Sequence, residues 1–528
     1  MRAPDRGRRL ALGTVGGVVL LASAVAFGPA TKATVLDGCG LSRSQIDLNG
    51  DGFDDAVVGD PFAAVGGLLQ AGRIIVLFGD ADGRIGEGPR RTLTQADFGE
   101  EPEAGDHFGW SVALGRADQL GFCASILVGA PGEDLAGAAD AGAAHLGTFE
   151  TDDEGQPTAV VATTLTQAGA GGAVEDGDQF GYAVVLTGPT QPDPYQLVVG
   201  SPGEAVGSAD EAGAVDVFRV QGNVSGVGEF VQGRVANSGG DRVPGTPEPG
   251  DRFGSSLAAN ALDLGEVSQS FVVGAPGDAV NGRDAAGTVT VFEGEDGDGP
   301  FSSVTQLSEA SAGVPGVAEA GDQFGFSLAL SPFSSSYTPR ALAVGVPGED
   351  RGSVVDAGAV TLFTNKDNAL VARANLTQAT AGAPGVVERG DRFGHSLAFE
   401  FSQRLLVGVP FEDVGRVRDA GQVQSVEVTP EEFPLRFGAA LNEDAPGTAY
   451  AVAADSRFGY GVSGLVGVRE NVFTVSSPFQ GDGSVYVVSD RSRSDGSPLA
   501  PRAWVPGREG IPSSPGGAFG WSVSGATF

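Results

Sequence analysis

Apolar residues in this chain occur in short runs that are bounded by glycine, proline or acidic residues. One kind of run opens with a Phe-Gly pair, as in Phe253 to Leu257, and another ends in Gly-x-Pro, as in Phe271 to Pro276. Short apolar runs between turn residues are typical of β-strands. Beyond residue 33, no long segment shows the 3.6-residue period of an amphipathic helix. The pattern therefore predicts an all-β fold.

The Phe-Gly phrase recurs, which makes the chain a repeat array. Full copies begin at Phe108, Phe180, Phe253, Phe324, Phe393, Phe458 and Phe519. The last copy has no Gly-x-Pro phrase after it, whereas a run of that kind at Ala56 to Pro61 opens the array without its own Phe-Gly phrase. The unpaired head and tail complement one another. We therefore predict a seven-bladed β-propeller that is closed when the C-terminal strand completes the first blade.

Each blade is predicted to contain four antiparallel strands. The Phe-Gly phrase forms the first strand, the Gly-x-Pro phrase ends the second, and Gly358 to Phe363 exemplifies the third. A Leu-Thr-Gln-Ala phrase, found at Leu93, Leu165 and Leu376, is assigned to the fourth strand. We expect the repeated phenylalanine to pack between neighbouring sheets and the following glycine to permit close backbone approach.

Residues 1–33 have the features of a signal peptide. Arginines from Arg2 to Arg9 precede an apolar core from Leu10 to Phe27, and small residues around Ala30 and Ala33 suit cleavage. The alternative is an uncleaved membrane anchor, because the core is about long enough to span a bilayer. With cleavage, residues 34–46 form an N-terminal arm, residues 47–528 form the propeller, and no membrane span remains. We predict a secreted, extracellular protein, either free or associated with the cell surface.

The chain contains two cysteines, Cys39 and Cys123. In an exported protein this even count favours a disulfide bond, which would stabilise the fold by about 3 to 5 kcal/mol in the chain-entropy model. Two free thiols are the alternative. Lipid modification of Cys39 is disfavoured because this residue lies well beyond the apolar core.

The formal net charge of −35 disfavours nucleic acid as a partner. The acidic residues return at fixed places, both before the Phe-Gly strand and after the second strand. The set after the second strand includes Glu133, Asp134 and Asp140; Glu349, Asp350 and Asp356; and Glu412, Asp413 and Asp419. In an antiparallel blade the link into strand one and the link from strand two to strand three lie at the same end. One face of the ring is therefore predicted to carry carboxylates that bind cations or a basic partner, or that cap turns.

The most specific chemical signal is the segment Asp47 to Asp55. Asp47, Asn49, Asp51 and Asp55 supply side-chain oxygens, with the carbonyl of Phe53 between the last two. Oxygen donors at alternating positions around a glycine turn suit Ca²⁺, which accepts six to eight oxygens in flexible geometry. We predict one calcium site here. The alternative is an acidic turn without metal.

The Phe-Gly phrases, the Gly-Ala-Pro phrases at Gly129 and Gly274, and this acidic loop resemble the FG-GAP repeat family of integrin α subunits and secreted bacterial proteins. The resemblance spans about Asp47 to Phe528. It implies a seven-bladed propeller that binds extracellular ligands through loops on one face. The chain departs from integrin propellers in keeping one complete calcium loop and a degenerate last Gly-x-Pro phrase at Ser476 to Pro478.

These features predict a binding or adhesion module whose ligand is an extracellular protein or polysaccharide. The alternatives are a structural cell-envelope protein without a specific ligand and, less favoured, a hydrolase-associated propeller. The serines in the Phe-Gly phrases lack the final glycine of a nucleophile elbow, and a repeated serine favours a structural role. The three histidines, His107, His145 and His395, occupy variable repeat positions. We therefore predict a protein without catalytic activity.

Overall fold

The computed structural model describes most of the chain from residue 46 onward. The described residues are 46–80, 84–115, 124–151, 157–187, 195–235, 242–260, 270–293, 301, 303–331, 341–366, 369–400, 404–428, 435–445, 448, 450–466, 471–489 and 501–524. Cys39, Cys123, the predicted signal peptide and the arm up to residue 45 lie outside them.

The described residues form twenty-seven strands, which we number in chain order. The first three blades contain β1 (Ala56–Asp60), β2 (Arg73–Leu77), β3 (Arg90–Leu93), β4 (Ser111–Gly115), β5 (Ser125–Ala130), β6 (Ala143–Thr151), β7 (Pro157–Leu165), β8 (Ala183–Leu186), β9 (Tyr195–Ser201), β10 (Ala214–Val220) and β11 (Val224–Phe230). The next two contain β12 (Ser256–Asn260), β13 (Ser270–Ala275), β14 (Thr288–Glu293), β15 (Ser303–Leu307), β16 (Leu328–Leu330), β17 (Ala341–Val346), β18 (Ala359–Lys366) and β19 (Ala369–Leu376). The last two contain β20 (Ser396–Phe399), β21 (Arg404–Val409), β22 (Gln422–Glu427), β23 (Arg436–Phe437), β24 (Val462–Val466), β25 (Asn471–Ser477), β26 (Ser484–Ser489) and β27 (Arg502–Trp504).

Seven antiparallel sheets follow one another around a ring, and in each the strands lie in sequence order. Blade 1 holds β1 to β3, and blades 2 to 7 hold four strands each, from β4–β7 through β24–β27. The first strands of successive blades contact one another, for example β4 with β8 and β16 with β20. These first strands therefore surround the axis. The prediction of an all-β, seven-bladed propeller is confirmed.

The C-terminal segment supplies the missing strand of blade 1. Val523 forms an antiparallel bridge with Val58, and the N–H of Gly59 donates to the carbonyl of Ser522 at 2.9 Å. A buried ion pair between Asp60 and Arg73, with an N···O distance of 3.0 Å, lies beside this closure. Arg73 also donates to the carbonyl of Pro512 at 3.0 Å. The predicted ring closure is thus confirmed.

The Phe-Gly phrase joins neighbouring blades as expected. All seven phenylalanines are fully buried. The N–H of Phe180, for example, donates to the carbonyl of Ala141 in the preceding blade at 2.9 Å. The adjacent Gly181 has φ of 93° and donates its N–H to Gly200 of its own second strand at 3.1 Å. Phe180 therefore bonds its blade to the preceding blade, and Gly181 bonds the start of the first strand to the second strand of the same blade.

The glycine of the Gly-x-Pro phrase is required by a close backbone contact. A Cβ at Gly129 would lie 1.8 Å from the carbonyl oxygen of Gly181 in the next blade. The corresponding distance from Gly200 to the oxygen of Gly254 is 2.1 Å, and from Gly345 to that of Gly394 it is 2.2 Å. Because both partners are backbone atoms, neither can rotate away from an added methyl group.

The assignment of the Leu-Thr-Gln-Ala phrase to a strand was only partly right. Leu93 and Leu165 are the last residues of the fourth strands β3 and β7, and the glutamine after each begins a helical turn. These turns are a 3₁₀ turn at Gln95–Phe98 and the short helix α1 at Gln167–Ala170. Each turn ends at a glycine in the left-handed region, where the chain reverses. No helix among the described residues is long and apolar enough to cross a membrane.

Candidate functional site

The segment Asp47 to Asp55 forms a tight loop that leads into β1. The carboxylate of Asp47 accepts hydrogen bonds from the N–H groups of Gly50 at 2.7 Å and Gly52 at 2.9 Å. Asn49 donates its side-chain amide to Asp51 at 3.0 Å. The carboxylate of Asp55 accepts from Leu48 at 2.7 Å and from Gly79 at 2.9 Å. The sequence places four oxygen-bearing side chains in a loop that its own backbone holds together.

This loop contains buried carboxyl groups. Asp47 and Asp55 are fully buried, and among the described residues no Lys or Arg forms an ion pair with either of them. Burial raises the pKa of Asp55 well above its usual value, and raises that of Asp51. Hard oxygen donors without a positive partner fit Ca²⁺ in chemical type. The three carboxylates of the loop are not drawn into a compact triad, however, as two other groups of described acids are.

The acids of the predicted ligand face lie at one end of the blades, and many of them form hydrogen bonds within the ring. Five buried aspartates that precede the Phe-Gly phenylalanines each accept an N–H from the residue three positions earlier. They are Asp106, Asp178, Asp251, Asp322 and Asp391. Burial raises the pKa of Asp106 and Asp178 to about 6. Turn capping, one of the alternatives for these acids, is therefore observed.

Three pairs of acids after the second strands also stabilise turns. The carboxylates of Asp134, Asp350 and Asp413 accept the N–H groups of Asp140, Asp356 and Asp419 respectively, each at 2.9 Å. Asp140, Asp356 and Asp419 have φ between 47° and 52°, in the left-handed region. Asp134, Asp140 and Asp413 are nevertheless exposed, so their remaining oxygen lone pairs face solvent.

Glutamates after the second strands of three blades accept hydrogen bonds from the preceding blade. Gln95 of blade 1 donates to Glu133 of blade 2 at 2.5 Å, and Gln167 of blade 2 donates to Glu204 of blade 3 at 2.9 Å. Gln378 and Glu412 repeat this arrangement between blades 5 and 6 at 2.5 Å. Burial raises the pKa of Glu133 to about 7 and that of Glu412 to about 8. The glutamine of the Leu-Thr-Gln-Ala phrase thus has an interblade role.

The structure reveals a cluster that the sequence analysis missed. The residue after Phe-Gly is aromatic in six blades, and these six rings contact one another around the axis. We call them the aromatic collar: Trp521, Trp110, Tyr182, Phe326, His395 and Tyr460. Ring centroids of neighbours are 4.9 Å apart for Trp110 and Trp521, and 4.8 Å for His395 and Tyr460. All six side chains are half-buried. The recurring aromatic residue at one position of the phrase was the available signal.

The collar is asymmetric. Blade 4 carries Ser255 at the collar position. On blades 1, 6 and 7 a phenylalanine follows the proline of strand two, namely Phe62, Phe411 and Phe479, and these rings pack on the collar. Blades 2 to 5 have glycine there. Aromatic rings therefore form a wall on one side of the axis, whereas the other side has glycine at the corresponding positions and no such wall.

Cationic side chains lie against the aromatic wall. The guanidinium of Arg457 lies over the rings of Phe479 and Phe411, at 4.4 Å and 4.9 Å from their centroids. Arg392 lies 5.3 Å from the centroid of Phe411. Phe479 is 40% exposed. Partly exposed aromatic rings with arginine at the centre of a face are typical of protein recognition sites.

The repeated serines of the Phe-Gly phrases have structural partners. Each hydroxyl donates to the carbonyl of the Phe-Gly glycine in the next blade, at 2.6 to 2.8 Å, for Ser111, Ser256, Ser327, Ser396 and Ser522. Burial lowers the pKa of His145 and His395 to about 4 and lowers that of His107. The structure thus supports the structural role predicted for the serines.

Comparisons with protein-family models and with curated proteins find no match to this chain. The sheet topology alone defines the class of protein, which is a seven-bladed β-propeller.

Proposed function

We propose that this chain is an extracellular, calcium-binding propeller of the FG-GAP type that binds a protein or polysaccharide ligand through its acid-bearing loop face. The observation that carries the proposal is the aromatic collar with its wall of Phe62, Phe411 and Phe479. The fully buried phenylalanines of the Phe-Gly phrases already pack the blades against one another. The half-buried aromatic rings at the axis instead supply a surface that a ligand can bury.

The surroundings of the collar add specificity. The collar lies at the same end of the blades as the turns of Asp134, Asp350 and Asp413. A ligand that reaches the aromatic wall would therefore meet carboxylates at the rim and arginines near the axis. Basic or hydroxyl-rich groups on the ligand would pair with these carboxylates. We assign the calcium loop, at the opposite end of the first blade, to stabilisation and not to ligand contact.

The test is a binding screen of residues 34–528 against surface polysaccharides and extracellular-matrix proteins, in calcium and in chelator. We expect a saturable ligand whose binding weakens at least tenfold in the Trp521→Ala variant. Asp350→Asn combined with Asp356→Asn tests the rim, and Phe437→Ala, in an outer strand, is the control.

Retained binding in both site variants would overturn the choice of face. A screen without any saturable ligand would favour the alternative of a structural envelope protein. Release of an ester or glycosidic product by the purified protein would favour a hydrolase.

A further inference from the structure

One interface between blades departs from the amide–carboxylate pattern. Glu309 occupies the place at which four other blades have Gln95, Gln167, Gln232 and Gln378. Its counterpart in the next blade is Glu349, which corresponds to Glu133, Glu204 and Glu412. Where those four interfaces pair an amide with a carboxylate, this one opposes two carboxylates.

A third acid completes the group. Asp322, which precedes β16, lies with Glu309 and Glu349 so that one carboxylate oxygen of each is within 4.8 Å of the others. Glu309 follows the last strand of blade 4, whereas Asp322 and Glu349 belong to blade 5. The group therefore bridges two blades. Glu309 is 4% exposed and Asp322 is 1% exposed.

Among the described residues, no N–H or hydroxyl group donates a hydrogen bond to Glu309. Both of its carboxylate oxygens are buried and face the carboxylate of Asp322 in place of a donor, and Oε2 of Glu349 is likewise buried without a donor. The side-chain oxygens of Gln95, Gln167, Gln232 and Gln378 also lack a donor, so in those four blades this position provides none for an oxygen. A neutral amide tolerates that environment better than a carboxylate does.

A matched interface shows how a glutamate here is otherwise accommodated. Glu443 occupies the same position between blades 6 and 7 and is 1% exposed. It accepts hydrogen bonds from the hydroxyl groups of Tyr486 and Ser456, both at 3.0 Å. Ser456 stands where Asp322 stands in the other interface. Glu443 thus faces two donors, whereas Glu309 faces two acids.

We propose that Glu309, Asp322 and Glu349 bind a divalent cation, with Ca²⁺ the best match, which links blade 4 to blade 5. Two oxygens that bind one Ca²⁺ at about 2.3 to 2.6 Å lie at most about 5 Å apart, which the observed spacing satisfies. The ion supplies the positive charge that this group of two buried carboxylates and one half-buried carboxylate lacks. Arg351 acts on Glu349, but burial outweighs it and raises the pKa of Glu349 to about 7. Burial also raises the pKa of Glu309 and Asp322.

A second acidic group, formed by Glu175, Asp178 and Glu204, has similar spacing. Glu175 is exposed and Glu204 already accepts a hydrogen bond from Gln167. That group therefore lacks the unpartnered buried carboxylate that distinguishes the Glu309 site.

The test is calorimetric titration of CaCl₂ into chelator-treated protein, residues 34–528, that carries Asp51→Ala to remove the loop site. We expect calcium binding to persist in this background and to lose one equivalent when Glu309→Gln is added. Glu349→Gln is a second variant, for which the same loss is expected. It recreates the combination found at the matched interface, where Gln480 stands at the position of Glu349 and faces Glu443. Glu443→Gln makes the same chemical change at the matched position and should leave the stoichiometry unchanged.

Binding that is absent in the Asp51→Ala background, or that is unchanged by both Glu309→Gln and Glu349→Gln, would overturn the proposal. A second contrary result concerns stability in chelator between pH 5 and pH 8. The proposal would be overturned if the wild type lost stability over this range, Glu309→Gln did not, and CaCl₂ failed to restore the stability of the wild type. That result would show a proton, and not a cation, between the carboxylates. The loop site and ligand binding by the collar can each fail without affecting this outcome.

Discussion

The backbone N–H of Val57 donates a hydrogen bond to the hydroxyl of Ser524 at 3.1 Å, across 467 residues of sequence. The N–H of Ser524 in turn donates to the carbonyl of Val57 at 3.0 Å. The two ends of the array are therefore held in one sheet. Together with the bridge between Val58 and Val523, these bonds complete the sheet of blade 1 and close the ring.

We expect Phe519→Ala to destabilise the protein by about 3 to 5 kcal/mol, because Phe519 is fully buried in the closing strand. Phe479→Ala makes the same chemical change at a residue that is 40% exposed. This control substitution should lower the free energy of unfolding by about 1 kcal/mol or less. Urea unfolding followed by circular dichroism measures both. Equal midpoints for the two variants would show that closure contributes little.

We expect Gly129→Ala to destabilise the ring by about 3 kcal/mol or more, because the added Cβ would lie 1.8 Å from the carbonyl oxygen of Gly181. Gly169→Ala is the control, since the nearest atom to its Cβ is a ring carbon of Phe218 at 3.2 Å. Thermal melts of both variants are compared with the wild type. A Gly129→Ala protein with the melting temperature of the wild type would contradict the steric requirement for glycine.

We expect Asp51→Ala to lower the melting temperature in calcium and to leave it unchanged in chelator. A bound ion at one hundred times its Kd stabilises by about 2.7 kcal/mol, which the variant would lose. Asp54→Ala removes a neighbouring carboxylate outside the predicted ligand set and serves as the control. Equal melting temperatures of Asp51→Ala and the wild type in calcium would contradict the prediction of a calcium site in the loop.

We expect the free energy of unfolding to fall as pH rises from about 4.5 toward 8, partly because of Glu204. Burial raises the pKa of Glu204 from 4.5 to about 8, so the folded state binds a proton that the unfolded state has released. Stability from this group is present below pH 4.5 and is lost as pH rises through 8. Glu204→Gln should flatten the dependence, measured by urea unfolding across pH.

The control for this pH dependence is Glu211→Gln, because Glu211 is an exposed residue in an ion pair with Arg252. A slope that is the same in Glu204→Gln and in the wild type would show that the Glu204 carboxyl is ionised in the folded protein at neutral pH.

Some features of the site were readable from local pattern and others were not. The role of Gly181 follows from a Phe-Gly phrase that repeats, because a repeated glycine marks a backbone requirement. The turn after Leu93 was misassigned because Thr94 and Asp97 cap it with side-chain bonds that override strand propensity. The aromatic collar was missed because its residues are separated along the chain by whole blades.

The sequence by itself determined the number of blades, their strand order and the closure of the ring. Period, turn residues and the unpaired head and tail are local properties of the chain, and each blade repeats them. Only the tertiary structure decided which acids are bonded and which are not. Glu309 and Glu443 look alike in sequence, yet one meets carboxylates and the other meets hydroxyls. That difference arises because neighbouring blades, not neighbouring residues, supply the partners of a buried charge.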